Sequence, residues 1–204
     1  ANEFKKDKLK VLAELTKLRQ ICCDPAILYD NYEGVSGKLE AALDLIRTAV
    51  EGGHKVLLFS QFTSMLSVIG KRLEEDGLAY HTLVGSTPKE QRARLVNSFQ
   101  TDDVPVFLIS LKAGGVGLNL TAADVVIHYD PWWNLAAQNQ ATDRAHRIGQ
   151  KRSVSVMRLI AQGTIEEKIV ALQESKRELA ESILGGQATA STSLSKEDIL
   201  ALLD

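Results

Sequence analysis

Short apolar runs alternate along the chain with segments in which apolar residues recur every three to four positions. A continuous apolar run is typical of a strand buried on both faces, whereas the longer spacing predicts a helix packed along one face. Strands are predicted over residues 55–60, 80–84, 106–110, 124–129 and 154–159. Helices are predicted over residues 3–21, 38–51, 64–76, 87–100, 134–147 and 164–184. This alternation favours an α/β fold whose parallel sheet carries helices on both faces.

Local sequence features predict where several helices begin, end and pack. An apolar stripe marks one face of the first helix, at Leu9, Leu12, Leu15, Leu18 and Ile21. The same spacing in the second helix predicts the inward-facing residues Leu39, Leu43, Ile46 and Val50. Asp24-Pro25 ends the first helix, because the residue before proline disfavours the helical conformation. Residues 87–90 (Thr-Pro-Lys-Glu) predict a capping box with proline at the first helical position.

The chain divides into three parts. Residues 1–37 form a helical extension that leads into the α/β domain, which covers residues 38–184. Residues 185–195 are rich in Gly, Ser, Thr and Ala, a composition typical of a flexible linker. A short helix follows from Ser195 and would be marginal alone, so we expect it to dock on this domain or on a partner.

Composition narrows the classes of partner. The 204 residues carry a net charge of −2, so a nucleic-acid site must be a local patch rather than a property of the whole surface. Hydrophobic residues make up 45% of the chain, which is ordinary for a globular protein. No apolar run approaches the roughly 20 residues that span a bilayer, so we expect no membrane partner.

The segment from Gln140 to Gln150 (QATDRAHRIGQ) is the strongest candidate for chemistry. On a helix, Gln140, Arg144 and Arg147 follow one another at i, i+4 and i+7 and therefore share a face. The spacing alone leaves two interpretations open. The arginines form structural ion pairs, for example with Asp143, or their guanidinium groups bind phosphate oxygens.

Two further segments follow predicted strands, at the edge where open α/β sheets bind ligands. Ser110 to Leu120 (SLKAGGVGLNL) is rich in glycine, which allows close approach of the backbone to a ligand or simply a tight turn. His128 to Asn134 (HYDPWWN) contains adjacent tryptophans, which stack on bases or fill a core. We expect one tryptophan in each role, with Trp133 the functional one. Basic residues concentrate between Arg144 and Arg158, which fits either a solvated turn or contact with a phosphate backbone.

Together these segments resemble the C-terminal helicase lobe of the Swi/Snf-type family of DNA-translocating ATPases. The resemblance extends from the first helix to about Leu184. It is carried by LRQICCDP (18–25), SGKLE (36–40), FSQF (59–62), VGS (84–86), SLKAGGVGLNL (110–120), YDPWWN (129–134), QATDRAHRIGQ (140–150) and TIEEKI (164–169). It implies a three-layer RecA-like fold with helical extensions at both ends. One departure is Leu135, where the family usually has proline.

The resemblance also implies roles for individual residues. Arg144 and Arg147 would be arginine fingers that reach an ATP molecule held, with Mg²⁺, mainly by a first lobe. Gly115, Gly117 and Asn119 would approach that nucleotide from this lobe, and Gln140 would help to place the arginines. A DNA backbone would be followed by Ser60, Gln61, Gly85, Ser86, Ser110, Lys112, Ala113, Gly114 and Trp133.

The sequence contains no GxxxxGK[ST] phosphate loop and no Asp-Glu-x-His box. We therefore expect half of an ATPase site, with no ATP hydrolysis by this chain alone. The implied partners are double-stranded DNA, a first RecA-like lobe of the same polypeptide and a DNA-bound protein. The implied location is the cytoplasm in a prokaryote, which the short tail favours, or the nucleus in a eukaryote. Two alternatives remain, a non-catalytic regulatory α/β module and the lobe of a strand-separating helicase.

Overall fold

The computed structural model describes residues 2–113, 118–133, 135–145, 150, 152–184, 195, 198, 199 and 202. Its helices are α1 (Asn2–Cys23), α2 (Gly37–Glu51), α3 (Thr63–Glu75), α4 (Lys89–Thr101), α5 (Leu135–Thr142) and α6 (Ile165–Leu184), with a 3₁₀ turn at Pro25–Ile27. Its strands are β1 (Val56–Ser60), β2 (Tyr80–Leu83), β3 (Val106–Ser110), β4 (Val125–His128) and β5 (Ser155–Arg158). No described helix combines the length and apolarity that a membrane crossing requires.

The five strands form one sheet in the order β2-β3-β1-β4-β5, and every neighbouring pair is parallel. Alternate residues of the three central strands enter different cores. Leu58, Leu108 and Ile127 pack with buried residues of α2 and α3, whereas Leu57 and Phe107 pack with Phe99 of α4 and Ala141 of α5. The predicted three-layer RecA-like α/β architecture is confirmed.

The apolar stripe of α1 is only partly buried. Leu15 is fully buried, but Leu18 and Ile21 are 45% and 36% exposed. The expected packing along one face is therefore wrong for the last turn of α1. Leu15 instead packs with Ile169 of α6 and with Ile199 of the terminal segment. The terminal segment docks on this domain, which decides between the two alternatives left open by its sequence.

The predicted start of α4 is also wrong. Pro88 lies before the helix with an extended backbone (φ −59°, ψ 149°), and no side chain caps the first turn. The hydroxyl of Thr87 instead accepts a hydrogen bond from the Val84 amide at 3.1 Å. Because the helix begins one residue later than expected, Thr87 is too far from its first amides to cap them, and no capping box forms.

The difference between Leu15 and Leu18 predicts a difference in stability. Leu15→Ala should lower the free energy of unfolding by about 2–5 kcal/mol, because it opens a cavity between α1, α6 and the terminal segment. Leu18→Ala on the same helix should change it by less than about 1 kcal/mol, since this residue is already 45% exposed. Urea unfolding followed by circular dichroism measures both, and equal losses would contradict this account of α1.

Candidate functional site

The parallel sheet gathers the predicted DNA-contacting residues at one edge. The carboxyl ends of parallel strands meet at the same edge of a sheet, which is where open α/β sheets bind ligands. In the order of the strands, this carboxyl edge carries Gly85 and Ser86 after β2, Ser110, Lys112 and Ala113 at the end of β3, Ser60 and Gln61 at the end of β1, and Trp133 after β4. Gly114 lies outside the described residues.

These residues differ in what they offer to solvent. Gly85, Ser86 and Lys112 are exposed, and Gln61 and Trp133 are half-buried. Lys112 supplies a positive charge, while Gly85 and Ser86 present backbone and hydroxyl groups of the kinds that bind phosphate oxygens. This exposed part of the edge can therefore contact a nucleic-acid backbone without reading its bases.

The other three predicted DNA contacts are buried. Ser60 and Ser110 are register partners on neighbouring strands, 0% and 2% exposed. The Ser110 hydroxyl accepts a hydrogen bond from the Ala113 amide at 3.3 Å, and Ala113 is buried as well. As placed, these side chains shape the loops rather than face solvent, and their contact with DNA stays a prediction.

Asp130 organises the end of β1. Its carboxylate accepts a hydrogen bond from the Ser60 hydroxyl at 2.5 Å and lies 3.3 Å from the Gln61 amide through both oxygens. The Ser60 oxygen in turn accepts from the Phe62 amide at 3.1 Å. Complete burial raises the pKa of Asp130, while the charge of Arg19 and the bond from Ser60 act in the opposite direction. The first turn after β1 is thus fixed to the loop after β4.

Arg19 reaches this carboxylate from α1. Its guanidinium donates to the Pro131 carbonyl at 2.6 Å and lies 3.9 Å from the Asp130 carboxylate. The ring of Trp133 covers it, with the guanidinium carbon 4.0 Å from the ring centroid. Arg19 is 2% exposed, so the pair is removed from solvent and its interaction is only weakly screened. One face of Trp133 is therefore occupied by an arginine of the same chain.

A second buried ion pair joins the segments 36–40 and 164–169. The Lys38 ammonium donates to both carboxylate oxygens of Glu166, at 2.6 and 2.5 Å, and both side chains are almost fully buried. The Glu166 carboxylate also accepts from the Ala161 amide at 2.8 Å. Lys38 lies 5.4 Å from the ring centroid of Tyr129, next to Asp130. The two pairs therefore form one charge cluster of Arg19, Lys38, Asp130 and Glu166.

The glycine and arginine segments meet in the fold. The Leu120 amide donates to the Arg144 carbonyl at 3.0 Å. Gln150 links the same two segments, because its side-chain amide donates to the carbonyls of Thr121, Ala123 and Ala145 at 3.1, 2.7 and 3.2 Å. Gln150 fixes the described parts of both segments in one arrangement.

Helix α5 ends too early for the expected alignment of Gln140 with Arg144. After Thr142 the backbone tightens, with the amides of Arg144 and Ala145 bonded three residues back, at 3.4 and 3.1 Å. Gln140 is exposed while Arg144 is 1% exposed, so their shared orientation is wrong. Arg147 lies outside the described residues.

The predicted nucleotide contacts are described only in part. Asn119 is exposed, and its carbonyl accepts from the Gln100 side chain at 2.6 Å. Gly115 and Gly117 lie outside the described residues. The roles of Asn119, Gln140 and Arg144 at a nucleotide stay predictions.

Sequence reasoning missed the residues that hold this edge together, namely Arg19, Asp130, Arg92 and Gln150. Arg19 had a visible signature, because it follows Leu15 by four residues and so lies on the buried side of α1. Asp130 also had one, as a carboxylate directly after a buried strand. Nothing local distinguished Arg92 or Gln150, whose partners are carbonyl groups of other loops.

His128 lies under the carboxyl edge and is kept neutral. It is 2% exposed, stacks on Phe59 at 5.6 Å between ring centroids, and its Nε2 lies 2.8 Å from the Thr142 hydroxyl. Burial lowers the pKa of His128 to about 4, and the charge of Arg158 acts in the same direction. His128 is therefore a structural histidine at the end of its strand.

The depressed pKa of His128 predicts an acid sensitivity. The unfolded chain, with the ordinary histidine pKa of 6.5, binds this proton more tightly than the folded chain, whose pKa is about 4. The contribution of neutral His128 to the free energy of unfolding is therefore fully present above pH 6.5. It is lost as the pH falls towards 4, which lowers the free energy of unfolding by about 2–3 kcal/mol. His128→Gln should remove this part of the slope in urea unfolding between those pH values, and an unchanged slope would contradict it.

Comparison with known proteins agrees with this geometry. The family model of the helicase conserved C-terminal domain matches residues 37–149, more than half of the chain. An uncharacterized ATP-dependent helicase of Mycoplasma pneumoniae is 42% identical over 203 residues, which cover 98% of this chain and 19% of the relative. The chromatin-remodeling ATPase INO80 of Cryptococcus neoformans is 41% identical over 170 residues, 83% of this chain and 10% of its own length. The chain thus spans about a fifth or less of these relatives.

A solved structure gives the same assignment. The SWI2/SNF2 ATPase core of Sulfolobus solfataricus, in complex with double-stranded DNA, matches with a TM-score of 0.75 at 36% identity. The match covers 97% of this chain and 42% of that chain. The chain therefore belongs to the helicase C-terminal domain family, as the second RecA-like lobe of the SWI/SNF-type ATPases.

Proposed function

We propose that this lobe serves an ATP-dependent motor that moves along double-stranded DNA and remodels what is bound there. The observation that carries the proposal is the carboxyl edge, where Gln61, Gly85, Ser86 and Lys112 come together at the ends of three neighbouring strands. Because the chain spans 19% of its Mycoplasma relative, the activity belongs to a larger protein in which this lobe works with a first lobe.

DNA contact through this edge would be independent of sequence. Its exposed groups are backbone, hydroxyl, amide and ammonium groups, which bind phosphate and sugar rather than base edges. The net charge of −2 makes the contact local, so binding by the lobe alone would be weak and sensitive to salt. A motor that steps along any duplex needs contacts of this kind.

The nucleotide would lie between the two lobes. Arg144 and Arg147 would stabilise the charge that develops on the transferred phosphoryl group, with Gly115, Gly117, Asn119 and Gln140 nearby. Since Arg144 is 1% exposed, its guanidinium would have to turn outward when the lobes close. Among the described residues no group of three His, Cys, Asp or Glu side chains could hold a metal ion. As the resemblance implies, Mg²⁺ would be held with ATP mainly by the first lobe.

The burial of Arg144 favours a second candidate, in which the lobe is a non-catalytic module and this arginine is structural. The Arg144 carbonyl already ties the turn after α5 to Leu120. In that case removal of the side chain would reduce stability and leave turnover unaffected once the protein is folded.

The DNA proposal predicts a specific effect of Lys112. Lys112→Ala should weaken binding of this chain to fluorescent duplexes of unrelated sequence by a similar factor, about three- to tenfold. It should also reduce the slope of log affinity against log salt by about 1, since one phosphate contact is lost. Lys71→Ala, an exposed lysine on α3, is the control and should change neither quantity. Equal effects of the two variants would argue against DNA contact through this edge.

The arginine-finger proposal predicts that the chain alone releases no phosphate from ATP, with or without DNA. In a protein that joins this chain to its first lobe, Arg144→Ala should reduce DNA-stimulated ATPase activity by about 10³-fold or more. Thermal unfolding of the same variant separates the two candidates. Normal turnover with a lowered melting temperature would support the structural role and exclude the finger. Arg94→Ala, an exposed arginine on α4, is the control for loss of one charge.

A further inference from the structure

Arg92, in the second turn of α4, donates hydrogen bonds to loops that follow two different strands. After β2, its guanidinium donates to the carbonyls of Thr87 at 2.9 Å, Gly85 at 2.8 Å and Val84 at 3.4 Å. After β3, it donates to the carbonyl of Ala113 at 3.4 Å. One side chain thus joins two loops of the carboxyl edge.

Each loop also has an internal hydrogen bond. The Thr87 amide donates to the Val84 carbonyl at 3.1 Å, and the Ala113 amide donates to the Ser110 hydroxyl at 3.3 Å. Strands β2 and β3 are paired only as far as Leu83 with Ile109. Beyond that pair, Arg92 supplies a link between the two loops that hold the exposed residues Gly85, Ser86 and Lys112.

The chemistry of this link is specific to arginine. A guanidinium offers five donors in a rigid planar fork, whereas an ammonium is a compact charge at the end of a flexible stem. In Arg92 different nitrogens serve the two loops, with Nη1 facing Ala113 and with Nε and Nη2 facing the loop after β2. A lysine at this position keeps the charge but replaces these separated donors with a single nitrogen. Because the donors of Arg92 are directed at carbonyl oxygens of its own chain, the side chain is not itself a DNA contact.

We infer that Arg92 is a positioning residue, which sets the spacing between the loops after β2 and β3 so that Gly85, Ser86 and Lys112 meet one DNA backbone. This inference rests on the proposed function for its DNA partner. Its structural half, the coupling of the two loops, does not depend on DNA.

The test compares Arg92→Lys with Arg94→Lys, which makes the same change at an exposed position two residues along α4. Amide hydrogen exchange of the 204-residue chain should accelerate by about fivefold or more at both Thr87 and Ala113 in Arg92→Lys, because the carbonyl link between their loops is lost. Arg94→Lys should leave both amides unchanged. Unchanged exchange at either amide in Arg92→Lys overturns the inference.

The second arm of the test measures DNA binding. Arg92→Lys should weaken duplex binding by about three- to tenfold although the net charge is unchanged, and Lys112→Ala should have a smaller effect in that background than alone. Additive effects of the two substitutions on DNA affinity would overturn the positioning role, since Arg92 and Lys112 would then act independently. Absence of duplex binding by the unsubstituted chain would overturn the proposed DNA contact and this role with it, while the exchange arm would still show whether Arg92 couples the loops.

Discussion

The charge cluster of Arg19, Lys38, Asp130 and Glu166 is the constraint on which the rest of this lobe depends. Burial of a charge is expensive unless a partner and hydrogen bonds compensate for the lost water, and removal of one partner leaves the other uncompensated. The four side chains come from α1, α2, the end of β4 and α6. The cluster is satisfied only when all four elements are in place, so it ties the N-terminal helical extension to the domain.

The carboxyl edge takes its shape from this cluster and from Arg92. Asp130 contacts Arg19 of α1 and also accepts hydrogen bonds from Ser60 and Gln61, so it links α1 to the end of β1. Arg92 joins the loops after β2 and β3. The exposed groups of the edge are thus supported by buried polar groups beneath them. If this surface binds a phosphate backbone, as proposed, it would benefit from such preorganisation, because ordering of loops on binding weakens affinity.

The sequence predicted well whatever depends on neighbouring residues. The three central strands are short, largely apolar runs, and the alternation of strands with helices led to the parallel sheet and to the edge at which the candidate residues lie. The prediction failed where contacts between distant parts of the chain determine the local structure. Arg19 meets a carbonyl 112 residues away, which no local pattern reveals. Helix α5 ends at Thr142, and beyond it the Leu120 amide bonds the Arg144 carbonyl from another loop. The helical period therefore gave a wrong alignment of Gln140 with Arg144.

The small apolar cluster of Leu15, Ile169 and Ile199 has a mechanical consequence. It joins α1, α6 and the terminal segment directly, without passing through any strand. A pulling force applied between the first helix and the terminal segment would load this cluster before it reached the sheet. If the lobe serves the proposed motor, strain entering through these two elements would thus first be borne by this small apolar cluster, while the parallel strands and the edge they support kept their register.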